Sequence, residues 1–526
     1  MAVSQQHIQR ALAELSGCIG SAPPLSLSPA GCAELLQAVV VWAAPGSEPE
    51  NKHKVPERAA AAARACLRLL EAVRISSRDK EEPEDSQITC YGAVSTNGAT
   101  PESAFGIAEA GLKCAPQEEN GTVGKLVEED LTDNAKDDSK PEGLPTSSEA
   151  ALDSSRVWPE DPQCILRCAT APILILCGAH SLDRPWTNDL SRTLTAQLLR
   201  KLIYASNCDS VTDLLRGPSD RESEFGTFRE VLRLLRPRLC KETWQSHPDA
   251  PHVFSWVLSL VPRPWLPEFL SQVLPPALLL SDDYKPENKV LGISCLRHII
   301  RNVPSAELRQ YNRALVVYQA LRNHLYATDA DVIEVALPCL LDLFPVLHKR
   351  PPAVGEYQKD GEDPSDQVMQ LVLTHMEMEH KIALRRSYAR YLPSLQERLG
   401  MRVVRHMKRL LRVIVGYLEV CDGPEETTRL CILETLQGTI KYAWPRIPHR
   451  LPLLLKALLK LMYDVTCEPV QTPEPVTEAL LCGATECLLL LDRCCDGQVK
   501  AALKGVPSLC AEPRLVKCLA AVQQDS

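Results

Sequence analysis

Apolar residues recur at steps of three and four along most of this chain, the period of a helix buried on one side. The most sharply punctuated stretch runs from Ser281 to Tyr326. Val290, Ile293, Leu296 and Ile300 form one stripe, widened by Leu291 and Ile299. Leu308, Tyr311, Leu315, Tyr318, Leu321 and Leu325 form a second. Between them, Pro304 cannot continue a helix. Ser305 is expected to cap the next one, with Glu307 in its first turn. The stretch reads as a helix hairpin. Each helix has one apolar face and cannot bury it alone, so the pair calls for neighbours of the same kind. The polar face, Arg297, Arg301, Arg309 and Arg313, is expected to stay exposed.

The same patterning extends in both directions. Ile8, Leu12 and Leu15 make one stripe and Leu35, Val39 and Trp42 another, and the alanine-rich run from Ala59 is a strong helix by propensity. Leu190, Leu194, Leu198 and Leu202 stand four apart, and Phe228, Val231, Leu232, Leu235 and Leu239 follow. Val332, Val335, Cys339, Leu343 and Leu347 define a helix with a capping-box spacing, Asp331 to Glu334. Further helices are expected from Val368, over about 382–399, 401–420, 425–443 and 451–463, and over 475–491. Paired two by two, hairpins begin near 285, 331, 383, 425 and 474, at spacings of 46, 52, 42 and 49. Spacings of about 40–47 belong to HEAT and armadillo repeats. The fold class is therefore all-α: a HEAT/armadillo-like α-solenoid of stacked helix hairpins, stabilised by stacking rather than by any single helix.

One segment breaks the pattern. Residues 76–156 are rich in Glu, Asp, Ser, Thr, Gly and Asn and have almost no apolar periodicity. They read as a disordered acidic insertion. The chain then divides into a helical segment at 1–75, the insertion at 76–156, helical repeats at 157–280 and HEAT-like repeats at 281–526. Charge agrees with this division. Of an overall net charge of -9, Arg78 to Asp153 carries -12, with 18 acidic and 6 basic residues, which leaves about +3 for the rest. That is too little for a general nucleic-acid surface.

The 21 Cys include no C-x-x-C pair and read as small buried hydrophobes. The N-terminus lacks the pattern of a secretory signal, and the uncharged run Cys168–Leu182 is too short and interrupted to span a bilayer. A soluble protein of a reducing compartment is expected.

Candidate chemistry is sparse. His375 and His380 are five apart and diverge by about 140° on a helix, whereas a zinc pair needs i, i+4. Cys482, Cys487, Cys494 and Cys495 lack finger spacing. Asp282-Asp283 reads as a helix-start pair rather than an acid–base pair. Phosphate-loop, dinucleotide and nucleophile-elbow motifs are absent, so no enzyme, cofactor or metal is expected. One surface signal remains. Arg402, Arg405, Arg409 and Arg412 share a face, with Val404, Met407, Leu411, Ile414 and Leu418 on another. This strip is either a solvated face with arginine stems covering neighbours or a docking site for an acidic partner.

The stretch DDYKPENKVLGISCLRHIIRNVP followed by AELRQYNRALVVYQALRNHLY resembles the Tel-two-interacting protein two family, and the insertion, the helical array and the length match as well. The resemblance implies a non-catalytic scaffold, the smallest subunit of the Triple T complex. It would be joined to a Tel-two subunit and to the large HEAT subunit, Tel-two-interacting protein one. That complex works with heat-shock protein 90 and RuvB-like ATPase cochaperones. It matures phosphatidylinositol 3-kinase-related kinases: ATM, ATR, DNA-dependent protein kinase, mTOR, SMG-one and TRRAP. The resemblance further implies cytoplasmic and nuclear residence, with no membrane or nucleic-acid partner. The alternative is an importin-like, cargo-carrying α-solenoid. Such grooves repeat Trp and Asn at matched helix positions, and the seven Trp here (42, 158, 186, 244, 256, 265 and 444) show no such repeat.

Overall fold

The apolar stripes become a ladder of helices. The computed structural model describes residues 12, 29–46, 54–76, 162–217, 226–347, 363–467, 472–504 and 512–524. The stripe at Ile8 and Leu15, the acidic insertion from 77 on, and most of the polar insertion expected over about 350–364 lie outside them. Among the described residues there is no strand.

Helices α1 (Pro29–Ala43) and α2 (Val55–Ser76) pack along α3 (Pro162–Ala179) and α4 (Asp189–Ala205) respectively. Lys201 and Glu71 meet across the second pair at 2.5 Å. The short α5 (Val211–Arg216) leads to α6 (Thr227–Leu235), and α3 packs on both α6 and α7 (Ala250–Ser259). The expected stripe Phe228, Val231, Leu232, Leu235 and Leu239 is buried throughout. The stripe on α4 is buried at Leu198 and Leu202, but Leu190 is exposed. Steps of four precess by about 40° each on a helix of 3.6 residues per turn, so a long run of them leaves the core.

From α8 (Leu270–Ser281) and α9 (Pro286–Asn302) the repeats are regular. They continue with α10 (Ser305–Arg309), α11 (Arg313–His324), α12 (Ala330–Leu347), α13 (Pro364–Met378), α14 (Ile382–Leu399), α15 (Met407–Leu418), α16 (Thr427–Ala443), α17 (Leu451–Cys467), α18 (Glu474–Cys494), α19 (Gln498–Leu503) and α20 (Pro513–Gln524). One layer runs α9–α12–α14–α16–α18–α20, each packed on the next, and α13, α15 and α17 succeed one another in a second layer. This is the α-solenoid. Cross-links within the first layer give its period. The Cys339 thiol donates to Ile293 O, Ser387 to Glu334, Gln396 to Thr439, and Gln437 to Glu486, at sequence separations of 46, 53, 43 and 49. The repeat spacing read from the sequence is thus realised.

The pairing frame differs by one helix. The sequence paired α9 with α10–α11 through the tight turn at Pro304. Instead α9 packs most extensively on α8, and α11 packs on α12. Likewise α14, α16 and α18 take as partners the helices before them, α13, α15 and α17. A stripe states which face is buried but not what covers it. The expected divide at 280–281 falls inside the α8–α9 pair.

The second helix of that stretch is also broken. Tyr311 and Asn312 adopt left-handed backbone, φ 53° and 56°, a conformation that strains a bulky side chain. Tyr311 is 84% exposed and Leu315 is also exposed; Leu308, Tyr318, Leu321 and Leu325 are buried as expected, and Ala314 and Val317 are buried in place of the other two. Ser305 makes no capping bond and is simply the first residue of α10. Asp282 closes α8, and Asp283 accepts from Asn288 at 2.7 Å and Lys285 N at 3.4 Å, so only Asp283 serves the start of α9. Glu334 accepts from Ser387 and Arg390 of α14 rather than from its own cap. The arginine face expected to be exposed is used as well. Arg297 and Arg301 converge on Asp342 of α12 at 2.8 and 2.7 Å, Arg309 donates to Val346 O, and Arg313 lies over the Tyr311 ring.

Candidate interaction surface

The arginine strip begins in a three-ten segment, Gly400–His406, and continues into α15. Of its expected apolar face, Met407, Leu411, Ile414 and Leu418 are buried and Val404 is half-buried. Its cationic face lies along α13, the same-layer helix of the preceding repeat. Arg402 is ion-paired with Asp363 and approaches Asp366 at 3.4 Å. Arg405 reaches Asp366 at 3.4 Å, and the buried His406 ring nitrogen Nε2 lies 2.8 Å from the other oxygen of Asp366. Arg409 and Arg412 share Glu377 at 2.8 and 3.1 Å. Three of these contacts, 402 to 363, 405 to 366 and 409 to the carbonyl of Gln370, keep a constant separation of 39 residues. The two helices therefore rise in the same direction, one repeat apart.

The carboxylates respond to this setting. Arg409 holds the Glu377 carboxyl below the usual carboxylate range, against the opposing effect of burial and with help from Arg412. Burial would raise Asp363, but Arg402 and the Ser365 N–H outweigh it and leave its carboxyl lowered. Asp363, Asp366 and Glu377 were not singled out from the sequence. Their signal was present: they step by helical turns along α13, as the arginines do along α15, so the two rows are complementary. Arg405 and Arg412 remain 69% and 60% exposed.

The other sequence candidates do not assemble a site. His375 stacks parallel to the Tyr388 ring at 5.9 Å and meets Tyr326 edge-on at 5.4 Å, while His380 is exposed after the end of α13. The Cys487 thiol donates to Leu433 O and that of Cys494 to Trp444 O; Cys482 is exposed and Cys495 buried. Among the described residues no group of three or more His, Cys, Asp or Glu is placed to hold a metal, and no helix is long and apolar enough to cross a membrane. A cavity of about 240 Å³ lies between α1, α3 and the end of α6, lined by Val40, Pro172, Ile175, Leu234, Arg238 and His247. Its one charged wall residue, Arg238, is neutralised by the buried Asp249 at 2.6 Å.

Fold and surface together define an all-α helical-repeat protein whose polar groups mainly join one repeat to the next. The chain belongs to the Tti2 family, whose profile matches residues 232–424. It is 50% identical to TELO2-interacting protein 2 of Homo sapiens over 358 residues, 68% of this chain and 69% of that protein. To TELO2-interacting protein 2 of Mus musculus it is 48% identical over 361 residues, 69% of this chain and 70% of that one. Among solved structures it is similar to a mutant of the karyopherin Kap121p, with a TM-score of 0.40 and 12% identity, over 66% of this chain and 36% of that chain.

Proposed function

We propose that this chain is a non-catalytic scaffold subunit of the Triple T complex, cytoplasmic and nuclear. In it the chain binds the Tel-two subunit and the large HEAT subunit, Tel-two-interacting protein one. With heat-shock protein 90 and RuvB-like ATPase cochaperones, the complex matures phosphatidylinositol 3-kinase-related kinases: ATM, ATR, DNA-dependent protein kinase, mTOR, SMG-one and TRRAP. DNA-damage and mTOR signalling depend on it through those kinases. The observation that carries this reading is the 50% identity, over two thirds of both chains, to a protein whose name records its interaction with TELO2. The helical-repeat fold supports it, since such arrays offer extended surfaces to partners. Depleting the protein should lower steady-state ATM, ATR and mTOR with their transcripts unchanged. Unaltered kinase levels would overturn the reading.

Within it, the arginine strip docks an acidic face of the large subunit through Arg405 and Arg412, whose side chains are the most exposed of the four. Arg405→Glu with Arg412→Glu is expected to weaken capture of that subunit about tenfold while circular dichroism stays helical. Full capture by the folded double variant would leave the strip with its role between α13 and α15 alone.

A further inference from the structure

Between successive repeats the arginines have carboxylate partners: Arg297 and Arg301 on Asp342, Arg390 on Glu334, Arg409 and Arg412 on Glu377. The turn from α16 to α17 is different. It consists of two consecutive three-ten turns, Trp444–Arg446 and Pro448–Arg450, each with a proline at its start. Trp444, Arg446, His449 and Arg450 are all exposed there, and so is Lys441 in the last turn of α16. Trp444 is 62% exposed and is the one exposed tryptophan among the described residues. Among those residues no ion pair is made by Lys441, Arg446 or Arg450.

The backbone below is fixed. Ile447, between the two turns, is fully buried, and the Cys494 thiol of α18 donates to Trp444 O at 3.3 Å. The two prolines restrict φ on either side. An indole left in water loses the burial that makes tryptophan favourable in a core. Tryptophan and arginine are the residues that dominate interface energies, most of all when presented rigidly. Cations that pair with no carboxylate among the described residues suit a partner that supplies one.

We propose that the Trp444–Arg450 turn is a docking knuckle for an acidic segment of a partner protein, with Trp444 as the apolar anchor and Arg446 and Arg450 as its charged flanks. This assignment rests on the scaffold reading above. Nucleic acid is disfavoured, because strand binding uses successive stacking aromatics in a basic groove, and here the turn presents a single indole on a chain whose residues outside 78–153 carry only about +3.

The test uses full-length chain and the co-purified Tel-two and large HEAT subunits as probe. Trp444→Ala, and separately Arg446→Glu with Arg450→Glu, should each weaken binding about 30-fold, with melting curves like that of the unsubstituted chain. Trp444→Tyr should keep binding within about threefold. Raising salt should weaken the unsubstituted chain more than the charge-reversed one. Equal binding by all variants overturns the knuckle and leaves the scaffold reading standing. No binding by the unsubstituted chain overturns both. Capture of a single-stranded 20-nucleotide DNA, lost in the charge-reversed variant, replaces the acidic protein segment with nucleic acid and overturns the assignment.

Discussion

Gly292→Ala should destabilise the protein by about 3 kcal/mol or more, the upper end of overpacking effects. In an open helix the same change is stabilising by about 1 kcal/mol, because glycine loses more backbone freedom on folding than alanine. At Gly292 the neighbour is backbone. A Cβ there would stand 2.2 Å from Ser281 N and 2.7 Å from both Leu280 C and Ser281 Cα. No rotamer change relieves that, so α8 and α9 must move apart, and they are the most extensively packed pair of helices. Gly416, exposed in the last turn of α15, is the internal control. Nothing lies within 4 Å of a Cβ built there, so Gly416→Ala should gain up to about 1 kcal/mol. Chemical denaturation of the two variants gives the comparison. Equal effects of one sign at both positions would refute the close approach of α8 and α9.

Gly292 also marks where sequence reasoning stops. The stripe through Val290, Ile293, Leu296 and Ile300 placed α9 correctly and showed which side is buried. It held no information about what lies on that side. The short link at Pro304 pointed to α11 as the partner, and the partner is α8. Repeat spacing survived this error because it measures the period of the array, which does not depend on where a repeat is said to begin. Separations of 46, 53, 43 and 49 along the first layer follow from that period.

Two local failures have physical causes. Tyr311 and Leu315 fit the helical period, yet left-handed backbone at Tyr311 and Asn312 rotates them out. Apolar spacing carries no signal for such a kink, although Asn is a residue that tolerates it. The arginine row at the start of α15 was visible as a row, but its acidic counterpart at α13 lies some 39 residues earlier, on the far side of α14. Charge patterning is usually sought within one helix, at i, i+4. In a solenoid the matching charge lies one repeat away.

That seam gives the second large effect. Asp366→Ala should cost about 2–3 kcal/mol, because it leaves the buried His406 ring nitrogen without its hydrogen-bond partner and removes the carboxylate that Arg402 and Arg405 approach. The Asp366 carboxylate is buried, with His406 at 2.8 Å and Arg402 and Arg405 at 3.4 Å. Asp366→Asn keeps an acceptor for His406 and should lose only about 1–2 kcal/mol. In a repeat array stability is close to a sum over neighbours, so the loss should appear first as faster amide exchange in α13 and α15, with α3 and α4 unaffected. Acid should act on the same seam. Glu377 and Asp363 have carboxyls lowered by their arginines. Their contribution is complete above the unfolded carboxylate values, near 4, and is lost as pH falls through the lower folded values. Exchange in α13 should therefore quicken below about pH 4, and Glu377→Gln should blunt that dependence. Uniform exchange along the chain in Asp366→Ala would mean that α13 is held by its apolar face, Val368, Val372 and Met376, rather than by its charges.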